Sequence, residues 1–123
     1  MNFDFSEDQK FLRSEARKFL ESACPSAVVR EVLDDDATPY HGALWGKVVE
    51  MGWLGTAIPE AHGGLGLGML ELCVIAEELG RVLAPVPFAS TAYYLAEAVK
   101  MAGTDAQKDD ILGRIVAGDV IGA

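Results

Sequence analysis

The chain has 123 residues, of which 50% are hydrophobic, and a formal net charge of −9. This length gives one domain with one hydrophobic core and leaves no room for a second. Only ten Lys and Arg stand against 19 Asp and Glu, which excludes the basic surface that binds nucleic acids or anionic membranes. The N-terminus lacks the basic and apolar regions of a secretory signal, and the most apolar stretch, residues 65–76, is interrupted by Glu71 and is too short to cross a bilayer. We therefore expect a cytoplasmic protein with no nucleic-acid or membrane partner.

The N-terminal third is predicted to form two helices. Ser6 and Gln9 have the spacing of a capping box, so the first helix is expected to begin here. Apolar residues then recur at three- and four-residue steps until Pro25 ends the helix. A short second helix is predicted over about residues 26–33. The acidic run that follows lacks the ligand pattern of a calcium loop and is interpreted as a solvated linker.

The middle of the chain combines an amphipathic helix with a glycine-rich segment. The helix runs from Leu44 to Met51, and Gly52 is predicted to end it in the left-handed conformation. Four glycines then lie within residues 63–68. Their spacing differs from that of a dinucleotide-binding fingerprint, and no Lys-Ser or Lys-Thr follows as in a P-loop. A compact structural turn is therefore predicted there.

Except for Glu71, Glu77 and Glu78, residues 69–79 are apolar on nearly every side, which is typical of the central helix of a bundle. Cys73 is predicted to be a small buried residue of this helix, and both cysteines are expected to be reduced. Glu77 and Arg81, four positions apart, are interpreted as an exposed ion pair. Glu77 and Glu78 point about 100° apart on a helix, which argues against a catalytic pair of carboxylates.

The C-terminal third is predicted to contain two further helices. Pro85 and Pro87 break the chain before a helix over residues 88–101, which Gly103 closes. A second capping box, formed by Thr104 and Gln107, then opens the last helix, which ends at Gly118.

The predicted fold is all-α, a bundle of five to six helices over residues 1–118. Residues 119–123 have the β-branched character of a strand that begins there. No metal site is predicted, because Glu60, His41 and His62 lack the spacing of a ligand set.

The order of the motifs resembles the N-terminal helical domain of the FAD-dependent acyl-CoA dehydrogenases. The segments that carry the resemblance are Trp45, Gly52-Trp53-Leu54-Gly55, Pro59-Glu60, Gly63-Gly64-Leu65-Gly66 and Glu77-Glu78-Leu79-Gly80-Arg81. They cover nearly the whole chain, and in that family the sequence continues into a middle β domain and a C-terminal helical domain. One departure is Glu60-Ala61-His62, which replaces the more usual Glu-Glu-Tyr.

The resemblance implies a reaction for the complete enzyme, the α,β-desaturation of an acyl-CoA thioester. In the family the flavin lies between the middle and C-terminal domains, and the catalytic base belongs to the C-terminal domain. This chain alone is therefore expected to contain no catalytic or cofactor-binding residue, to bind no FAD and to be inactive. The complete enzyme is expected to use FAD, an acyl-CoA substrate and an electron-transfer partner, and to form a homo- or hetero-oligomer.

By alignment with the family, the helix after Arg81 reaches the far end of the acyl tail, which places Pro87, Thr91, Ala92 and Leu95 in the wall of the acyl-tail pocket. Fatty acyl and bulky steroid thioesters are both compatible with this segment.

Two other functions compete with the enzyme-domain interpretation. A free-standing helical interaction module would use the apolar faces to dock a partner. A stand-alone acyl or CoA carrier is disfavoured, because no cluster of Lys or Arg is available for the CoA phosphates. The strand predicted at the C-terminus favours the enzyme domain over the interaction module.

Overall fold

A computed structural model describes all residues, Met1–Ala123, and contains six α-helices and no β-strand. The helices are α1 (Glu7–Ala23), α2 (Ser26–Leu33), α3 (Gly42–Glu50), α4 (Met69–Arg81), α5 (Ala96–Ala102) and α6 (Asp105–Val116). Two 3-10 turns, Trp53–Gly55 and Glu60–His62, connect α3 to α4, and a π-helical segment, Ala89–Leu95, leads directly into α5. The predicted all-α fold is confirmed.

The predicted helix ends are confirmed at both capping boxes. Gln9 N–H donates to Ser6 Oγ, and Gln9 Oε1 accepts from Ser6 N–H. Thr104 and Gln107 repeat the arrangement at the start of α6. Gly52 follows α3 with a φ of 76°, in the left-handed region that glycine reaches without strain.

The core is formed where α1 packs against α4 and where α5 packs against α6. The 3-10 turn at Trp53–Gly55 joins the two halves, because it contacts α6 and its Trp53 contacts Phe19 of α1. Trp53 is buried and meets Phe19 of α1 edge to face, with 5.3 Å between ring centroids. This edge-to-face pairing is a favourable geometry for buried aromatic rings.

Two predictions about α4 are wrong. Cys73 is exposed, whereas Cys24 is the buried cysteine. Glu77 pairs with Arg13 of α1 instead of Arg81, and Arg81 pairs with Glu78 and Glu21. The packing of α1 on α4 explains the changed ion pairs, because Arg13 and Glu21 of α1 reach Glu77 and Arg81. Cys73 lies on the exposed stripe of α4 that also carries Glu77, four positions later.

Residues 119–123 adopt neither helix nor strand in this structure. Gly122 is buried against the π-helical segment, and its N–H donates to Thr91 Oγ1. The division into a domain at 1–118 and the start of a strand at 119–123 stays a prediction.

None of the helices combines the length and the apolar character needed to span a bilayer.

Candidate functional site

The glycine-rich segment is a closed turn whose amides are already occupied. Gly63 and Gly66 have φ values of 84° and 64°, and a Cβ on Gly64 would lie 2.0 Å from the Ile58 carbonyl oxygen. Every N–H from residue 63 to 68 donates to another group of the chain, namely to the carbonyls of Glu60, Pro59, Gly55, Ile58 and Thr56 and to Glu71 Oε2. Because a phosphate cradle needs free N–H groups, this loop does not fit the pyrophosphate of a flavin. The predicted structural turn is confirmed.

The two histidines lie beside separate carboxylates. His41 Nε2 is 2.7 Å from Glu31 Oε2, and its Nδ1 accepts from Leu44 N–H at the start of α3. His62 lies 3.6 Å from Asp109. His41 therefore connects α2 to the start of α3, and His62 connects the 3-10 turn at Glu60–His62 to α6.

A buried carboxylate connects α1 to α4. The Glu78 side chain is only 2% exposed, and its two oxygens accept from Arg17 Nη2 and Nε at 2.8 and 3.0 Å. Arg81 Nε donates to the same carboxylate at 3.0 Å. The hydrogen bonds from Arg17 are the main reason that the pKa of Glu78 lies below its ordinary value. A carboxylate that is held ionised by two guanidinium groups is fitted to hold helices together, not to abstract a proton.

The π-helical segment carries three of the four residues predicted to line the acyl tail, and the fourth, Pro87, lies two residues before it. Thr91 and Ala92 are buried at 0% and 3% exposure, whereas Pro87 and Leu95 are half-buried. The Thr91 hydroxyl donates to the Pro87 carbonyl at 2.7 Å and accepts from Gly122 N–H at 3.0 Å. Three of the four residues thus lie on one widened turn, with Thr91 buried on its inner side, and Pro87 is joined to this turn by the Thr91 hydroxyl.

An apolar groove of about 240 Å³ lies beside this turn. Phe88, Ala89 and Tyr93 line it from one side, and α4 together with the segment after it lines the other. Burial raises the pKa of Tyr93 to about 12, and its hydroxyl donates to the Leu72 carbonyl at 3.4 Å. The groove is therefore lined by neighbours of the four predicted residues, and none of the four faces a cavity of this domain.

Leu83 lies between this groove and a second concave surface, which has a volume of about 460 Å³ and lies beside α2. Leu83 is the only non-glycine residue in the left-handed region, with a φ of 53°, and it is 72% exposed. Sequence reasoning did not single out Leu83. Its place just after α4, where glycine commonly ends a helix, was the available signal.

Comparison with known proteins identifies the family. The model of the acyl-CoA dehydrogenase N-terminal domain matches residues 6–119. Bovine mitochondrial isovaleryl-CoA dehydrogenase is 31% identical over 121 residues, which cover 96% of this chain and 28% of that protein.

Solved structures agree with this match. A Tcur3481-Tcur3483 steroid ACAD variant superposes with a TM-score of 0.83 at 36% identity, over 94% of this chain and 31% of that one. The ChsE4-ChsE5 complex of Mycobacterium tuberculosis gives a TM-score of 0.80 at 29% identity, over 98% of this chain and 30% of that one. The chain thus spans less than a third of the length of each of these relatives. By sequence and by fold, the chain belongs to the acyl-CoA dehydrogenase family, as its N-terminal domain.

Proposed function

We propose that this chain serves as the N-terminal domain of an FAD-dependent acyl-CoA dehydrogenase, in which the turn from Pro87 to Leu95 forms part of the wall around the acyl tail. The observation that carries the proposal is this widened, largely apolar turn next to an apolar groove, within a chain that matches the family model from residue 6 to residue 119. Binding pockets for apolar groups are concave and lined mainly by apolar side chains.

The reaction of the complete enzyme is the α,β-desaturation of an acyl-CoA thioester. Bound FAD supplies the redox chemistry by accepting a hydride, and a carboxylate base outside these 123 residues removes the α-proton. The task of this domain is to exclude water from the acyl tail and to limit its length or width. No residue of this chain is assigned to the flavin or to the base.

The acyl group is proposed to be apolar, either a fatty acyl chain or a bulkier steroid side chain. The similarity to an isovaleryl-CoA dehydrogenase supports an apolar acyl group, and the similarity to a steroid ACAD supports the bulkier alternative. The similarity to a two-component complex supports a homo- or hetero-oligomer. We also propose an electron-transfer partner and a cytoplasmic location.

The proposal is tested with Leu95→Phe in the flavin-containing enzyme that carries this domain. A larger side chain at the end of the pocket should lower kcat/KM for long acyl-CoA thioesters by about tenfold or more and spare short ones, because only long tails reach it. Met101→Phe is the matched control, since Met101 lies six residues further on, in α5, and is 84% exposed. Equal losses on all chain lengths would place Leu95 outside the pocket and refute the proposed wall.

A second candidate is a helical interaction module. It is favoured by four exposed apolar residues that lie close together in the chain: Leu65, Leu67, Met69 and Leu70. Exposed apolar patches mark surfaces that are covered by another partner or domain. Sedimentation of the 123-residue chain at several concentrations, with a hydrophobic dye present, separates the two candidates. A strictly monomeric species without dye binding would show that these four residues form no accessible apolar surface and would refute the module.

A further inference from the structure

Thr91 is at the centre of a buried chain of hydrogen bonds. Gly122 N–H donates to Thr91 Oγ1 at 3.0 Å, and the same hydroxyl donates to the Pro87 carbonyl at 2.7 Å. The threonine is 0% exposed. The hydroxyl thus donates to the residue that precedes the π-helical segment by two positions and accepts from the chain near the C-terminus. Because the side chain is fully buried, it has no free surface for a substrate.

The hydroxyl replaces a backbone hydrogen bond that the widened turn lacks. In an α-helix the Pro87 carbonyl would accept from the N–H four residues later, which is that of Thr91. Here no backbone N–H donates to this carbonyl, and only the hydroxyls of Thr91 and, at 3.4 Å, Ser90 reach it. The turn ends where Ala96 N–H donates to the Thr91 carbonyl, five residues back. A π-helical turn of this kind contains one residue more than an α-helical turn, and such turns occur frequently at functional sites.

Gly122 fits this turn because it has no side chain. A Cβ at position 122 would lie 2.4 Å from the Ser90 carbonyl oxygen and 2.9 Å from Leu95 Cβ. Both distances are too short for real atoms, so the backbone at residue 122 lies directly against Ser90 and Leu95. The final segment of the chain and the proposed pocket wall are therefore in contact at the backbone level.

From these contacts we propose that Thr91 and Gly122 form a latch that sets acyl-chain specificity by positioning Leu95, without touching the substrate. We define the latch as the hydrogen bonds from Gly122 N–H to Thr91 Oγ1 and from Thr91 Oγ1 to the Pro87 carbonyl. The inference rests on the proposed acyl-tail wall, but it assigns Thr91 a different role from that of a lining residue. When these two hydrogen bonds break, the backbone at residue 122 no longer packs against Leu95, and Leu95 shifts within the proposed pocket wall.

The latch is tested with an isosteric substitution and a matched control. Thr91→Val keeps the shape of the side chain and removes both hydrogen bonds, whereas Thr91→Ser keeps the hydroxyl. Thr56→Val is the control, because Thr56 is equally buried and its Oγ1 donates to the Trp53 carbonyl at 2.7 Å, in another part of the fold. A purely structural role for Thr91 would give Thr91→Val and Thr56→Val the same phenotype.

The first readout is amide hydrogen exchange in the 123-residue chain, which does not depend on activity. Gly122 N–H should be protected in the parent protein, and Thr91→Val should accelerate its exchange about tenfold, an effect of the size expected for one lost buried hydrogen bond. Thr56→Val and Thr91→Ser should leave this exchange nearly unchanged. An unprotected Gly122 amide in the parent protein would overturn the latch.

The second readout is the ratio of kcat/KM for a long and a short acyl-CoA thioester in the flavin-containing enzyme. Thr91→Val should change this ratio about tenfold, Thr91→Ser should restore it, and Thr56→Val should not change it. If Thr91→Val does not fold, Gly122→Ala takes its place, since its methyl group forces residue 122 away from Ser90 and Leu95. An unchanged ratio together with a responsive Leu95→Phe variant would overturn the latch alone. An unchanged ratio in all variants would also refute the proposed wall.

Discussion

Replacing Glu78 with Gln should destabilise the domain by about 2 kcal/mol, a value between the energies typical of exposed and of buried ion pairs. Exposed pairs contribute about 0.2–1 kcal/mol, whereas breaking a buried pair costs about 3–5 kcal/mol. Glu78 falls between them, because its carboxylate is 2% exposed while the side chains of Arg17 and Arg81 are 48% and 38% exposed. Gln preserves the shape of the side chain but removes the charge and turns an NH₂ group toward a guanidinium.

The destabilisation caused by Glu78→Gln should be larger at neutral pH than in acid. The guanidinium of Arg17 holds the pKa of Glu78 below its ordinary value of 4.5. The stability that the carboxylate contributes is therefore fully present above pH 4.5 and is lost as the pH falls through the lower pKa of the folded state. The difference between the parent protein and Glu78→Gln should be constant from pH 5 to 7 and should shrink below pH 4.5.

Urea unfolding followed by far-UV circular dichroism measures this difference, with Glu77→Gln as the control. Glu77 is the preceding residue on α4 and pairs with Arg13, but its side chain is 61% exposed. Its substitution should change the free energy of unfolding by less than about 0.5 kcal/mol. If Glu78→Gln and Glu77→Gln have the same urea midpoint, or if the difference does not fall in acid, the buried carboxylate does not hold α1 on α4.

Three further outcomes are expected. Ser6→Ala should cost about 1 kcal/mol, because it removes the acceptor of Gln9 N–H at the start of α1; an unchanged urea midpoint would contradict this. Leu83→Asn should raise the free energy of unfolding by about 0.5 kcal/mol, since Asn tolerates a left-handed φ and the exposed leucine loses little packing; a lower thermal midpoint would contradict this. The purified 123-residue chain should be colourless, and a visible flavin absorbance band would show that the domain binds the cofactor by itself.

The features predicted correctly from the sequence arise from interactions between residues that lie close together in the chain. The capping boxes at Ser6 and Thr104 each involve a residue three positions away, and Gly52 ends α3 through its own φ. Such signals are readable because the interacting groups are fixed relative to one another as soon as the helix forms.

The prediction for Cys73 failed because α4 is apolar on nearly all sides. The available signal was Glu77, an exposed residue four positions after Cys73 and therefore on the same stripe of the helix. Cys73 lies on this exposed stripe, and Leu70 is exposed as well.

The π-helical segment has no sequence signal comparable to a capping box. Residues 88–101 were predicted as one regular helix, but the turn widens where the Thr91 hydroxyl bonds to the Pro87 carbonyl. The group that completes the arrangement is the amide of Gly122, 31 residues further along the chain. A contact at this distance is set by the path of the chain through the whole bundle, which local patterns do not contain.

The same argument explains why the burial of Glu78 and its pairing with Arg17 were not predicted from the sequence. Its partner on α1, Arg17, is 61 residues away, and the two meet only because the packing of α1 on α4 aligns one position of each helix. The sequence displays Glu77 and Glu78 as equivalent neighbours, yet the first is solvated and the second is buried. Burying a carboxylate is unfavourable unless it is paired, so the packing of α1 on α4 selects the register in which Arg17 meets Glu78. The pair therefore favours one alignment of the two helices over those shifted by a turn, a role that a purely apolar contact fills less specifically.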